Sequence, residues 1–458
     1  MSGTHILASD TILTMDAETS VILDGAIAIA GQTIVAIGSR ETVLQAYPGV
    51  PIKEMDNALL MPGLINAHAH SGMLRGTAEH LPVWEWLTTH INPMHKVLNA
   101  EEARAASRLC YAESLLGGTT TVVDMWRFME CSCKVARDMG NRLVAVPYVG
   151  AHPDYDYFES LDDNEALLDA WQGGADGRVR VWVGLEHPFY TNEAGWKRAV
   201  DMANRYKTGI NTHCSEAQIE VAEFHKRYGK APVRALADFG FFDTPLALLA
   251  HAVWLSEDEI AFLADKPASV SHNPISNMKL ASGIASVEAM RAAGIPVGLG
   301  TDGEKENNNF DMFEELKAAS LMAKLRDHDA AALDSWQVLK MGTCEGARAI
   351  GLGDQIGSLE VGKQADIIAV STDTPRMTPF FADGPYFNLQ HNLVHAVKGS
   401  DVRMTMVAGQ IVAEDGALTH DDMTDILAEV RALAPGLFAR RAAFLEEHRI
   451  GTVQWVAG

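Results

Sequence analysis

Between about Ile6 and Met61, apolar and polar residues alternate in short runs broken by turn residues, the period-2 pattern of strands with one buried face. Ile12-Leu-Thr-Met15, Ala26-Ile-Ala-Ile29 and Thr33-Ile-Val-Ala-Ile37 are the candidate strands, the last closed by Gly38, and a helical spacing follows over residues 40–46. A second strand-rich stretch returns late in the chain, in Ala365-Asp-Ile-Ile-Ala-Val370 and over residues 403–412. Edge strands need partners, so both ends are predicted to assemble one small β-sandwich domain from residues 1–61 and 354–420.

The middle of the chain changes character. Across residues 62–353, apolar strand-like runs alternate with helical stretches such as 101–116, 195–206 and 287–293. The strand candidates are the run ending at Asn66, then Thr119-Thr-Thr-Val-Val123, Arg142-Leu-Val-Ala-Val146, Val179-Arg-Val-Trp-Val183, Gly209-Ile-Asn-Thr212, Leu246-Ala-Leu-Leu-Ala250, Ala268-Ser-Val-Ser271 and Ile295-Pro-Val-Gly-Leu299. Eight strand-helix units predict an α/β fold with a parallel (β/α)8 TIM-type barrel. Residues 421–458 are expected to be a helical segment packed on the outside, helical to about 448 and broken at Pro435-Gly436.

Composition narrows the function classes. The chain has 458 residues, 47% of them hydrophobic, and 37 Lys plus Arg against 60 Asp plus Glu, a net charge of −23. That acidity argues against binding nucleic acid or an anionic membrane surface, both of which need basic patches. No apolar stretch of about 18 residues is present, so no transmembrane helix is expected. The N-terminal Met-Ser-Gly-Thr-His lacks the basic and apolar regions of a secretion signal, and Cys110, Cys131, Cys133, Cys214 and Cys344 are odd in number and irregularly spaced. A cytoplasmic enzyme on a small-molecule substrate, working as a homo-oligomer, fits these features. Cys131-Ser-Cys133 lacks the second pair that a structural zinc site needs.

Candidate chemistry lies at the strand ends. In His68-Ala-His70 the two imidazoles are at i and i+2 and project to one side at the end of an apolar strand, where barrels place their chemistry. Two converging imidazoles suit a transition metal. An isolated pair would read equally well as surface histidines. Here His213, His251 and Asp302 each close a further candidate strand, so a convergent metal site is expected from among them. Glu216, three residues after His213, is either a helix cap or a proton shuttle beside an activated water. His272 either contacts substrate or makes a structural hydrogen bond to a neighbouring loop.

The ordered motifs resemble the amidohydrolase superfamily, in particular the aminohydrolase branch of methylthioadenosine and S-adenosylhomocysteine deaminases and s-triazine hydrolases. They are Met61-Pro-Gly-Leu-Ile-Asn-Ala-His-Ala-His70, Arg75-Gly, Trp86-Leu87, Gly118-Thr-Thr-Thr-Val-Val-Asp124 and Thr212-His-Cys-Ser-Glu216. Ala250-His251, Ser271-His-Asn-Pro-Ile-Ser-Asn-Met-Lys-Leu280, Gly300-Thr-Asp-Gly303 and Gly357-Ser-Leu-Glu-Val-Gly-Lys-Gln-Ala-Asp366 continue the match over nearly the whole chain. The resemblance implies that His68, His70, His213 and Asp302 bind one divalent metal, zinc with Fe2+ or Mn2+ as alternatives. It makes Glu216 the proton shuttle, moves His251 from possible ligand to holder of the attacking hydroxide, and gives Asp302 the water's proton. The implied activity is release of ammonia from an amino-substituted N-heterocycle, such as methylthioadenosine or a related aminopurine or pterin, by metal-bound hydroxide. Chloride or alkylamine hydrolysis on a triazine-like ring is the alternative. A two-metal cyclic-amide hydrolase would need a lysine near Gly184-Leu-Glu-His187, where there is none, and the retained ligands argue against a non-enzymatic relative.

Trp86, His95, Tyr148, His187 and His272 are the candidate substrate contacts. Two of these positions depart from the nucleoside deaminases, which carry a ribose-gripping glutamate where this chain has Pro93-Met-His95 and, for S-adenosylhomocysteine, an arginine where it has Val146-Pro-Tyr148. The charged run Gly303-Glu-Lys-Glu-Asn-Asn-Asn309 also stands where relatives are small and neutral, and reads either as a solvated loop or as part of the site. A neutral imidazole accepts at most one hydrogen bond, whereas a carboxylate can accept both from a diol. In a parallel comparison of kcat/KM, S-adenosylhomocysteine is therefore expected to fall about tenfold to a hundredfold below compact aminated rings or nucleosides with small apolar 5′ groups; a preference for S-adenosylhomocysteine would contradict this.

Overall fold

The computed structural model describes residues 3–77, 79, 81–150 and 156–448. The N-terminal segment forms β1 (Thr4–Leu13), β2 (Val21–Ala30) and β3 (Thr33–Ser39), then a helix over Arg40–Ala46 and β4 (Ile52–Pro62). Alternation in β1 and β2 sends Ile6, Ala8, Ala26 and Ala28 to one face, against Val43 of that helix. Leu7, Ile27 and Ile29 go to the other.

The apolar run 59–65 reads as one strand in the sequence, but it is divided. Leu59, Leu60 and Met61 belong to β4, whereas Leu64 and Ile65 open β5 (Leu64–His70) in a different sheet. Gly63 marks the change: its N–H donates to Asp366 O (3.0 Å), that of Leu64 donates to Gly118 O (3.0 Å), and a Cβ on Gly63 would lie 2.2 Å from Thr120 Cγ2. An apolar pattern cannot register that the hydrogen-bond partners change.

From β5 onward the strands are parallel: β6 (Thr119–Trp126), β7 (Arg142–Pro147), β8 (Val179–Val181), β9 (Val183–Gly184), β10 (Gly209–Cys214), β11 (Leu246–His251), β12 (Ala268–His272), β13 (Val297–Leu299) and β14 (Asp302–Gly303). Hydrogen bonding arranges them in two five-stranded sheets, β14-β5-β6-β7-β8 and β13-β12-β11-β10-β9. Only Trp182 separates β8 from β9, and only Gly300 and Thr301 separate β13 from β14. Every residue of β5 is buried, as expected of a strand covered on both faces. The three predicted helices are present as Ala100–Leu116, Glu193–Tyr206 and Val287–Ala292, the first opened by an Asn99–Glu102 capping box.

The chain then returns through β15 (Ile367–Ser371), β16 (Val402–Val407), β17 (Gln410–Glu414) and β18 (Ala417–Leu418). These join the first strands in one eight-stranded sheet, β18-β17-β16-β15-β4-β1-β2-β3, so both ends of the chain share a sheet through the antiparallel pair β15–β4. The last helix, Met423–Glu447, is continuous through Pro435, contrary to the break predicted there. It is anchored on both sides of the proline: Glu429 pairs with Arg108 (2.7 Å) and Arg104 before it, and Arg440 pairs with Glu102 after it. These contacts hold the helix across a missing backbone donor.

Arg142 at the start of β7 and Asp366 just before β15 lock the parallel strands to the terminal sheet. Both side chains are 2% exposed and the pair is bidentate, Nε to Oδ2 at 3.0 Å and Nη2 to Oδ1 at 2.9 Å, with the Ala408 N–H donating to Asp366 Oδ1 at 2.8 Å. Asp366→Ala would leave a buried guanidinium unpaired, and a loss of about 3–5 kcal/mol is expected in denaturant unfolding; a change within ~0.5 kcal/mol would show that the pair does not join the two units.

Candidate metal centre

The strand ends bring five of the predicted residues together. His68 and His70 leave β5, His213 leaves β10, His251 ends β11 and Asp302 opens β14, and all five are buried. Ligand atoms of His68, His213, His251 and Asp302 lie within 4.8 Å of one another. His70 belongs to the same cluster, with Nε2 3.1 Å from His213 Nε2 and 3.2 Å from Asp302 Oδ1. His68 Nε2 is 3.5 Å and His251 Nε2 is 3.7 Å from the same carboxylate. Backbone conformation helps to aim these groups. Ser215, His251 and Asp302 are non-glycine residues with φ of 54°, 72° and 61°, a left-handed geometry that costs of order 1–3 kcal/mol each and persists where the surroundings enforce it.

Hydrogen bonds on the far side of the rings fix which nitrogen faces inward. His70 Nδ1 donates to Met125 O (2.6 Å), His213 Nδ1 to Glu186 O, and His251 Nδ1 to Asn277 Oδ1 (2.9 Å). Each Nε2 is thereby turned towards its neighbours. Both nitrogens of His68 and Oδ1 of Asp302 are buried without a hydrogen-bond partner. Burial holds His68 down to about 4 and His213 well below the ordinary imidazole value, favouring neutral rings. Burial opposes ionisation of Asp302, but His251, His68 and His70 outweigh it and hold its carboxyl well below the usual range. Burial also opposes charge on His70 and His251, but Asp302 with Glu306 raises the first, and Glu216 with Asp302 the second, above the ordinary imidazole value. Imidazoles packed around a carboxylate form a donor set that suits a divalent transition metal such as zinc.

Glu216 lies beside the cluster, with Oε2 3.9 Å from His251 Nε2 and Oε1 accepting from Ser282 Oγ (3.2 Å). It does not cap the following helix. That helix, Gln218–Tyr228, has no side-chain cap at Ala217; Glu220 in its first turn instead fixes the preceding loop, accepting from the N–H groups of Ser215 and Glu216 at 2.7 Å each. Burial raises the Glu216 carboxyl above its ordinary value, against the attraction of His251.

A cavity opens onto the cluster. Trp86, Tyr148 and His187 line it, as do Glu216 and His251. His95 does not reach it: the ring stacks behind Tyr148, centroids 4.6 Å apart and 6° between planes, in a separate apolar void with Met73 and Leu437. His272, buried at the end of β12, is also absent from the cavity wall, and its Nδ1 makes no hydrogen bond. The charged run after Asp302 is not a solvated loop. Glu304, Lys305, Glu306 and Asn307 are all buried, with Glu304 accepting from the Leu74 N–H (2.8 Å) and Asn307 Nδ2 donating to Thr301 O (2.9 Å). Lys305, Glu306 and Glu186 line the cavity and were not singled out as contacts from the sequence. For the first two the signal was their position, directly after a strand-end ligand candidate; Glu186 carries no comparable mark.

The amidohydrolase family profile matches residues 59–412, and a profile for an imidazolonepropionase-like composite domain of bacteria matches residues 25–49. A 5'-deoxyadenosine deaminase of Methanosarcina acetivorans is 37% identical over 446 residues, 96% of this chain and 99% of that protein. A 5-methylthioadenosine/S-adenosylhomocysteine deaminase of Caldanaerobacter subterraneus subsp. tengcongensis is 38% identical over 424 residues, 92% and 96% of the two chains. Among solved structures, an adenosine deaminase from Xanthomonas campestris with bound zinc superposes with a TM-score of 0.89 at 30% identity, covering 95% of this chain and 98% of its own.

Behind the His-x-His strand, Asp124 accepts from the Ser71 N–H (2.9 Å), Ser71 Oγ (2.6 Å) and Tyr111 Oη (2.7 Å), fixing the turn that follows His70. Asp124→Ala is expected to cost about 2–3 kcal/mol in urea unfolding, because these buried donors lose their acceptor. An unchanged midpoint would show that the turn is held by other contacts.

Proposed function

The chain belongs to the amidohydrolase family, and from that membership we propose that His68, His70, His213 and Asp302 hold one divalent metal, with Glu216 and His251 serving the reaction beside it. The protein is a hydrolase of carbon–nitrogen bonds, a deaminase of an amino-substituted N-heterocycle. The observation that carries the assignment is the set of imidazole nitrogens gathered around Asp302 Oδ1, with both nitrogens of His68 and that carboxylate oxygen buried without a hydrogen-bond partner. When bound, zinc, or Fe2+ or Mn2+ in its place, supplies the Lewis acidity that brings a water's pKa towards neutrality.

The remaining work falls to the chain's own groups. His251 Nε2 faces both Glu216 Oε2 (3.9 Å) and Asp302 Oδ2 (3.7 Å), which suits it to orient the attacking water. Asp302 takes that water's proton. Glu216, raised by burial, can exist protonated near neutrality and deliver a proton to the substrate ring nitrogen. Water oxygen bonds to the amino-bearing carbon; the carbon–nitrogen bond breaks as the amine takes the proton from Asp302 and leaves as ammonia, and the hydroxyl proton returns to the deprotonated Glu216. Trp86, Tyr148 and His187 are the substrate contacts that the cavity lining supports. His95 acts through Tyr148, and His272 has no contact that favours a role in binding.

The same reading treats the two five-stranded sheets as a closed barrel. β8 with β9, and β13 with β14, are then single interrupted strands: between β8 and β9 the Trp182 N–H still donates to Ala145 O of β7 (2.9 Å), while β9 pairs with β10 of the other sheet. The terminal sheet becomes a β-sandwich-like domain, with boundaries near 61/62, 353/354 and 420/421. A cytoplasmic location accords with five free cysteines, and among the described residues no helix is long and apolar enough to cross a membrane. Exposed Leu321 and Leu325, one turn apart on the helix Met312–Asp327, suit a homo-oligomer contact.

Purified protein is expected to carry one divalent metal per chain by elemental analysis, and chelation should abolish ammonia release until zinc is restored. Glu216→Gln should keep its metal while losing roughly 2 to 4 orders of magnitude in turnover. Asp302→Asn should lose both. Metal loss in Glu216→Gln would reassign that residue to the ligands, and chloride or alkylamine release in place of ammonia would move the protein to the triazine-type chemistry.

A further inference from the structure

Lys305 and Glu306 line the cavity but have no part in the hydrolysis just described. They are 3% and 4% exposed, and Lys305 Nζ stands 3.1 Å from Glu306 Oε1. The second oxygen, Glu306 Oε2, is buried and has no hydrogen-bond partner. Their loop is fixed: the N–H groups of Glu306 and Asn307 both donate to Gly303 O (3.1 and 3.0 Å), and Lys279 Nζ donates to Lys305 O (2.8 Å). A buried ion pair of this kind adds little stability, since the desolvation of two charges offsets their attraction. Its presence in the wall of a reaction cavity therefore calls for a role in recognition. Glu186, in the same cavity, also keeps Oε2 without a partner, so this cavity has spare acceptors.

We propose that Lys305 and Glu306 read a lactam edge of the substrate ring, the ammonium donating to a ring carbonyl and Glu306 Oε2 accepting the adjacent ring N–H. The inference rests on the deaminase reading and narrows its substrate class to amino-heterocycles with –NH–C(=O)– next to the amino-bearing carbon, as in guanine, pterin and isocytosine. An adenine-type ring has a single ring nitrogen beside its amino-bearing carbon, and that nitrogen is an acceptor. Glu306 Oε2 would then face a lone pair and remain unpaired, whereas a site built to bond an N–H discriminates strongly against rings that lack it.

Binding separates this inference from catalysis. Hypoxanthine has the lactam edge and no amino group to lose; purine has neither. By calorimetry on the zinc-loaded full chain, hypoxanthine is expected to bind about tenfold to a hundredfold more tightly than purine. K305M and E306Q should each remove most of that preference. The double variant K305M/E306L, which leaves no unpaired charge, should remove all of it. Equal binding of the two rings to the wild type, or a preference that survives in the double variant, overturns the proposal. Ammonia release from guanine and pterin is measured beside adenine and methylthioadenosine. Faster turnover of the adenine-type rings overturns lactam recognition and leaves the deaminase reading standing; no ammonia from any ring, with the hypoxanthine preference intact, overturns the deaminase reading and leaves lactam recognition standing.

Discussion

Ring nitrogens crowded around one buried carboxylate are the constraint on which this molecule is organised. His70 Nε2 and His213 Nε2 stand 3.1 Å apart, and the Nδ1–H of each ring is committed on its far side to a backbone carbonyl. Such crowding is relieved only by a cation or a proton between the rings, so the rest of the fold must hold the rings in register. The left-handed backbone at His251 and Asp302 and the Asp124 network behind His70 are parts of that holding structure. The site is pre-organised because relaxing any one element would lose several buried hydrogen bonds at once.

Around this centre the cavity sorts its carboxylates by their partners. Glu220 is committed to the backbone N–H groups of Ser215 and Glu216. Glu216 has only a serine hydroxyl and a distant imidazole, an environment in which burial leaves its proton exchangeable. Glu186 and Glu306 each retain a free oxygen and are pushed up to about 7 by burial. Chemically similar side chains are thus set apart in protonation and in free hydrogen-bonding capacity, according to how many donors reach them.

The terminal sheet stands apart from this chemistry but is coupled to it. β4 runs directly into β5 through Gly63, so the strand that carries His68 and His70 is set in place by the sheet that both chain ends build. The Arg142–Asp366 pair ties the base of β7 to the same sheet. This accounts in physical terms for the Gly-Lys-Gln-Ala-Asp366 segment, which touches no site residue yet carries part of the family pattern.

The sequence by itself determined most of the elements and the cluster of strand-end residues. Period-2 alternation, strand-helix succession and polar residues at strand ends are local patterns that follow from burying one face of each element, and they located His68, His70, His213, His251 and Asp302 before any contact was known. They could not tell one strand from two across Gly63, because apolar character does not record a hydrogen-bond partner. They could not carry the last helix through Pro435, because its anchors Arg104, Arg108 and Glu102 are more than 300 residues away in the chain. Nor could they decide between solvent and burial for Glu304, or between solvent and cavity for Lys305 and Glu306, or put Tyr148 between His95 and the site. Burial of a charge and the direction of a side chain depend on neighbours brought in by the tertiary fold, and those neighbours turned a charged run into a cavity wall.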